Sequence, residues 1–273
     1  MPFHTTTSSP PANLFYTDSG PQSSPAIVLV HGWACDSHDW SHQIPYLLSL
    51  SLRVIALDLR GHGRSSCPPS GYDLYTQASD IHSLLTHLSP DPVILVGHSM
   101  GSVISSVLTV QHPELVKALV LVHPIYSGAP SAMPAVAGRM RENPSDAPAL
   151  TAKFFEQVMY TPQTPVFLKT WHVRRVLGCA PEMLVGCITG LVDVFGSIMG
   201  TTEECKAFMR KRTVPRLAVC TLPAAPGWEE ELGVREGVDE VHRLTEGTFS
   251  HIVEHEKFNA ILGDWLRKQE LLP

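Results

Sequence analysis

Short apolar runs recur along this chain and are unbroken rather than alternating. Ala26-Ile27-Val28-Leu29-Val30, Arg53 to Leu57, Val93 to Val96, Ala118 to Val122 and Arg216 to Cys220 are of this kind, and Glu240 to Leu244 completes the set of strand candidates. Unbroken apolar runs suit strands covered on both faces, as in a parallel sheet. Helical stripes lie between them. Tyr75 to Leu88 carries Ala78, Ile81, Leu84, Leu85 and Leu88, and Phe258 to Leu266 carries Phe258, Ile261, Leu262 and Trp265, each set on one side of a helix. Strand–helix alternation with right-handed crossovers predicts an α/β fold with a doubly wound, mostly parallel sheet.

The alternation stops between residues 126 and 212. That stretch is Pro-rich at first, then carries Phe154-Phe155, Val158-Met159, Trp171, Met183-Leu184, Phe195 and Met199. It reads as short helices without a strand, inserted over the carboxyl edge of the sheet, where open α/β sheets bind ligands. The expected organisation is a core of residues 14–125 and 213–273, a helical cap of 126–212 and a flexible Thr/Ser/Pro-rich tail of 1–13.

The 273 residues suffice for one α/β domain with an insertion. A net charge of −6 and no basic run beyond Arg210-Lys211-Arg212, read as a solvated helix end, argue against a nucleic-acid partner. The six cysteines show no CxxC pair and no metal-ligand spacing, so free thiols in a reducing, cytoplasmic setting are expected, with no metal. No apolar stretch reaches the ~18 residues of a membrane span. A homodimer is left open.

The chemistry concentrates after the third apolar run. Val93 to Val96 leads into Gly97-His98-Ser99-Met100-Gly101, and a helical run from Ser102 to Gln111 follows. A Gly-x-Ser-x-Gly set between strand and helix is a sharp turn that presents the serine hydroxyl beside free helix N–H groups, which makes Ser99 the candidate nucleophile. His31-Gly32-Trp33 follows the first run, and the backbone amides of Trp33 and Met100 are the candidate oxyanion donors. Asp58 to Ser65 reads as a Gly-rich turn held by charges, structural rather than reactive.

These motifs resemble the α/β-hydrolase superfamily, in its single-domain branch with a helical cap. The resemblance implies cleavage of esters, lactones, thioesters, epoxides or carbon–carbon bonds without a cofactor. It also implies a base after the last strand and a carboxylate that orients it, and here the chain departs from the pattern. Anchoring on Glu256 and Phe258 puts Thr248 at the base position. A shortened loop would instead let His251 serve. The usual acid turn, Thr221 to Gly227, holds no carboxylate, and the alternative site holds His123-Pro124. Glu229, from the run Glu229-Glu230-Glu231, is the candidate acid, with Asp193 behind it. His31, Gly32, His98, His123 and Trp171 are expected to line the pocket for a hydrophobic small molecule. Three readings stay open: a serine hydrolase through Ser99 and His251, a non-hydrolytic lyase, isomerase, cyclase or condensing enzyme on the same scaffold, and an inactive ligand-binding module.

Overall fold

The structure is a computed structural model that describes residues 3–88, 91–128 and 132–273. The strands are β1 (Phe3–Thr5), β2 (Asn13–Ser19), β3 (Ala26–Val30), β4 (Arg53–Leu57), β5 (Val93–His98), β6 (Val116–Val122), β7 (Arg216–Cys220) and β8 (Glu240–Arg243). They form one sheet in the order β1-β2-β4-β3-β5-β6-β7-β8. β3 to β8 pair in parallel, whereas β1 and β2 are antiparallel additions at one edge.

Successive residues of the central strands point to opposite faces, and each face has its own core. On one face Ile27, Leu29, Val54, Ala56, Ile94, Val96, Val120 and Val219 pack with Leu47 of α1 (Gln43–Ser49) and with Phe258, Leu262 and Trp265 of α11 (His255–Lys268). On the other, Val28, Val30, Ile55, Leu57, Leu95 and Leu121 pack with α2 (Leu74–Leu88) and α3 (Met100–Gln111). Burial on both faces explains why these strands are unbroken apolar runs.

Between β6 and β7 lie α4 (Met133–Glu142), α5 (Ala147–Phe154) continued by a π turn over Phe155–Met159, α6 (Val166–Leu177), α7 (Pro181–Asp193) and α8 (Glu203–Met209). Their apolar faces join the core on the α2/α3 side. The indole of Trp33 donates to the Leu184 carbonyl at 3.2 Å, which ties α7 to the loop after β3. After β7 come α9 (Ala225–Glu231) and α10 (Ser250–Val253). Among the described residues no single helix is long and apolar enough to cross a membrane.

The expected loose tail is a correction. Residues 3–12 are packed: β1 pairs with β2, and Thr6 and Ala12 are buried. The cause lies in the turn after β4. Arg60 and Asp80 form a fully buried ion pair, and the guanidinium has donors left over. Ser8 Oγ and the Pro10 carbonyl accept from it, and Ser8 Oγ also donates to Asp80 at 2.6 Å. A buried charge needs all its hydrogen bonds met, so this segment is held in place. Asp58 similarly accepts from the amides of Ser37 and Arg64, which fixes the turns after β3 and β4 against each other.

Candidate active site

Strand register assembles the site. β3 lies beside β5 with Val30 opposite Gly97, so the loop His31-Gly32-Trp33 emerges next to His98-Ser99. β5 lies beside β6 with His98 opposite Val122, which brings His123 next to Ser99. β6 lies beside β7 with Val122 opposite Val219, which brings Thr221 next to His123. All of these positions sit at the carboxyl ends of parallel strands.

Ser99 occupies φ 52°, ψ −116°, a conformation sparsely allowed for a residue with a side chain. Close packing holds it there. A Cβ on Gly97 would stand 2.3 Å from the Gly101 carbonyl oxygen, and one on Gly101 would stand 2.4 Å from that of Val30, so both positions admit glycine alone. The Ser99 amide donates to the Val122 carbonyl at 2.9 Å. Met100 opens α3, so its amide has no partner within the helix. No hydrogen bond from the Trp33 amide is present among the described residues. Gly32 packs closely on the same turn: a Cβ there would lie 3.0 Å from His98 Nδ1 and 3.3 Å from Ser99 Cβ.

Ser99 opens into a cavity of about 50 Å³ that it lines with Trp33, His123, Ile125, Met133, Phe154, Val158, Met159, Leu191, Leu222 and Thr248. The free polar groups facing it belong to Ser99, His123 and Thr248. His123 also sits at positive φ, 50°, and its Nδ1 is hydrogen-bonded to the Thr221 hydroxyl. Burial pushes its imidazole pKa down to about 3, with the nearby His98 adding to the effect. The histidine of this cavity therefore follows β6, where sequence reasoning placed a pocket residue that moves protons only in the non-hydrolytic reading. The missed signal was that His123 and Thr221 stand at the two positions where the acid was absent.

The remaining expected residues fall elsewhere. His251 is a correction: it does not line the cavity. Its ring packs against His98, Trp40 and Phe258 at centroid distances of 4.3, 4.9 and 6.2 Å, and both ring nitrogens are buried without partners. Burial drives its pKa well below the ordinary imidazole value. The ungapped alignment, with Thr248 in the base position, describes the geometry. His98 also faces away from the cavity. Its Nε2 donates to the Thr248 carbonyl at 2.8 Å, and burial lowers its pKa to about 4. His31 is another correction, because both of its nitrogens are used in the loop. Nδ1 donates to the Gly32 carbonyl and Nε2 accepts from the Leu59 amide. His62 staples the same loop in the same way, through the Arg60 carbonyl and the Ala34 amide. Trp171, also expected in the pocket, lies on the outer face of α6 and is half exposed.

Glu229 is the second correction among the proposed catalytic groups. Its carboxylate is buried against Arg216 Nε at 3.1 Å and Arg212 Nη2 at 3.5 Å, and it touches no imidazole. Arg216 opens β7, whereas the site lies beyond that strand's other end, so α9 carries Glu229 back along the strand. Arg212, expected in a solvated cluster, is turned inward by the same pair. Asp193 is exposed. Glu229→Ala is expected to destabilise the chain by about 3–5 kcal/mol, since it strands two buried guanidinium groups. Turnover per folded molecule should stay unchanged. Denaturant melts alongside an active-site titration check this, and a hundredfold loss of turnover at unchanged stability would restore Glu229 as an acid.

No group of three His, Cys, Asp or Glu side chains is placed to hold a metal ion among the described residues. The six cysteines are free.

A sequence model of the alpha/beta hydrolase fold matches residues 25–179, so positions 221, 248 and 251 lie outside the matched stretch. Over 145 residues the chain is 37% identical to a non-heme chloroperoxidase of Streptomyces lividans, covering 53% of this chain and 50% of that protein. Over 138 residues it is 32% identical to a bifunctional esterase/perhydrolase of Acinetobacter calcoaceticus, covering 50% of this chain and 47% of that protein. The chain thus spans about half the length of these curated relatives. A bromoperoxidase structure from Bacillus anthracis superposes with a TM-score of 0.81 over 97% of this chain and 99% of the other, at 22% identity, which is a likeness of fold.

Proposed function

From the premise that the chain belongs to the alpha/beta hydrolase fold family, whose matched relatives are enzymes of hydrolase type, we propose that it is a serine hydrolase of small apolar acyl compounds. Ser99 is the nucleophile and His123 is the base. The observation that carries this reading is the shared cavity: a strained serine and a single imidazole face one apolar space.

In this reaction Ser99 Oγ attacks the acyl carbon. Its proton passes to His123 through one water held in the cavity, since no hydrogen bond joins Ser99 Oγ to an imidazole among the described residues. The Trp33 and Met100 amides receive the oxyanion. The alcohol or thiol portion leaves with the proton, and water then cleaves the acyl-enzyme by the same route. The hydroxyl of Thr221, a neutral group, takes the place of the carboxylate that would stabilise an imidazolium. With its low pKa, His123 is a weak base, so catalysis is slow and favours leaving groups that depart without strong assistance. Thioesters, aryl or enol esters and strained lactones meet that demand.

A cavity of about 50 Å³ admits water but not such a substrate, because small-molecule sites are typically about 300–1,000 Å³. Val158 both lines the cavity and is exposed, so it marks the mouth, and the insertion must shift there for entry. In that sense the insertion acts as a cap.

A serine-directed phosphonate and an activated aryl ester test the proposal. One phosphonyl adduct on Ser99, located by peptide mass, together with ester turnover that Ser99→Ala abolishes, is the expected result. Absence of both from the folded chain would overturn it. It would favour a proton-transferring lyase or isomerase, or a binding module, in keeping with the missing carboxylate.

A further inference from the structure

We propose that the outer face of α6, with the arginine-lined groove beside it, docks this protein onto an anionic phospholipid membrane. The proposal is independent of the chemistry at Ser99.

Among the described residues, five of the nine large apolar side chains that are exposed belong to this helix: Val166, Phe167, Trp171, Val173 and Leu177. Leu168, His172 and Val176 point inward at four-residue spacing, and helical geometry then gathers the five onto the opposite arc. Phe167 and Trp171 pack edge to face at 5.1 Å and form one continuous aromatic surface. Scattered apolar side chains on a surface need no partner, but a contiguous set marks an interaction face.

Charge selects the partner. The chain carries −6 overall, yet residues 160–181 contain Lys169, Arg174 and Arg175 and no carboxylate. Arg174 and Arg175 line a surface groove of about 720 Å³ with Arg64, His38 and Trp171. Arg175 is held by Asp36 at 3.0 Å and Asp39 at 2.6 Å, and Arg64 by Asp58 at 3.8 Å, so the basic groups of this face without an ion pair among the described residues are Arg174 and Lys169. A short helix that shows Trp, Phe and Leu between basic side chains suits the headgroup–acyl boundary of an anionic bilayer. A second copy of the chain is a poorer occupant, because a two-fold contact would set these basic groups against themselves.

The protein reports on its own docking. Of its five tryptophans, Trp33, Trp40, Trp228 and Trp265 are at most 4% exposed, and Trp171 is 47% exposed. The full chain is titrated with vesicles of phosphatidylcholine alone and of an equal mixture with phosphatidylglycerol. The mixed vesicles are expected to sediment the protein and to shift its tryptophan emission to the blue. Trp171→Phe should remove the shift but keep the sedimentation. Neutral vesicles should bind about tenfold more weakly, molar salt should release the protein, and Arg174→Gln or the pair Phe167→Ser with Leu177→Ser should each cost about tenfold. Failure to sediment with mixed vesicles overturns the proposal, as does binding that is indifferent to these surface variants while their melting is unchanged. A dimer in solution that the Phe167/Leu177 pair dissociates, without vesicle binding, assigns the face to a second copy and also overturns it.

Discussion

His123→Ala is expected to lower kcat/KM for an activated ester by about tenfold, at or below the foot of the ~10²–10⁴-fold range of a general base whose pKa matches the working pH. His251→Leu, in the same assay, is expected to change it by less than about twofold. The two imidazoles differ in what they can reach. His123 shares the cavity with Ser99 and is oriented through Nδ1 by Thr221, which leaves Nε2 as the proton acceptor. His251 has no polar partner and aromatic neighbours, so a leucine removes two unsatisfied nitrogens from the core. With burial holding the His123 pKa near 3, the base form is full throughout the neutral range. The rate per folded molecule should therefore be flat between pH 6.5 and 8, with no limb near 6.5. The opposite ranking of the two variants, or a limb at the ordinary imidazole value, would return the base role to a solvated or differently placed histidine.

Acidification from pH 7.5 to 5.5 is expected to destabilise the fold by about 7 kcal/mol. His62, His98, His123, His172 and His251 are buried, and for each of them burial is the largest cause of a depressed pKa. The unfolded chain takes up protons on these groups below about pH 6.5, while the folded chain does not until far lower. Their contribution to stability is thus complete above 6.5 and declines as pH falls toward the folded values. One unit below 6.5, each group costs about 1–2 kcal/mol, and together they cost about 7 kcal/mol. Whole-protein stabilities run to about 5–15 kcal/mol, so cooperative unfolding near pH 5.5 is within reach. Urea melts at the two pH values measure the difference. Equal stability at both would show that these imidazoles are solvated. His251→Leu should recover about one fifth of the loss.

Much of this architecture could be read from local pattern. The bounds of β3, β4 and β7 coincide with the apolar runs, because a strand covered on both faces is apolar along its length, Arg53 and Arg216 at the starts of β4 and β7 being paired with Asp18 and Glu229. β1 and β2 escaped notice for the converse reason. At a sheet edge Asn13 to Ser19 is only partly buried, so its polar and apolar residues follow neither template. Gln43–Ser49 was missed as a helix for a related reason: it is a short segment with few buried positions.

The same division runs through the site. The Ser99 turn was legible from sequence alone, since close approach of backbone atoms at residues 97 and 101 permits only glycine there, and that requirement is written within five residues. Which imidazole faces Ser99, and where the carboxylate of Glu229 is spent, were not. Those outcomes depend on strand register between β5, β6 and β7, on Trp40 and Phe258 enclosing His251, and on two arginines at the far end of β7. Each is a contact between residues remote in the chain, settled by how desolvation and packing are jointly satisfied, and a local stretch of sequence holds no record of it.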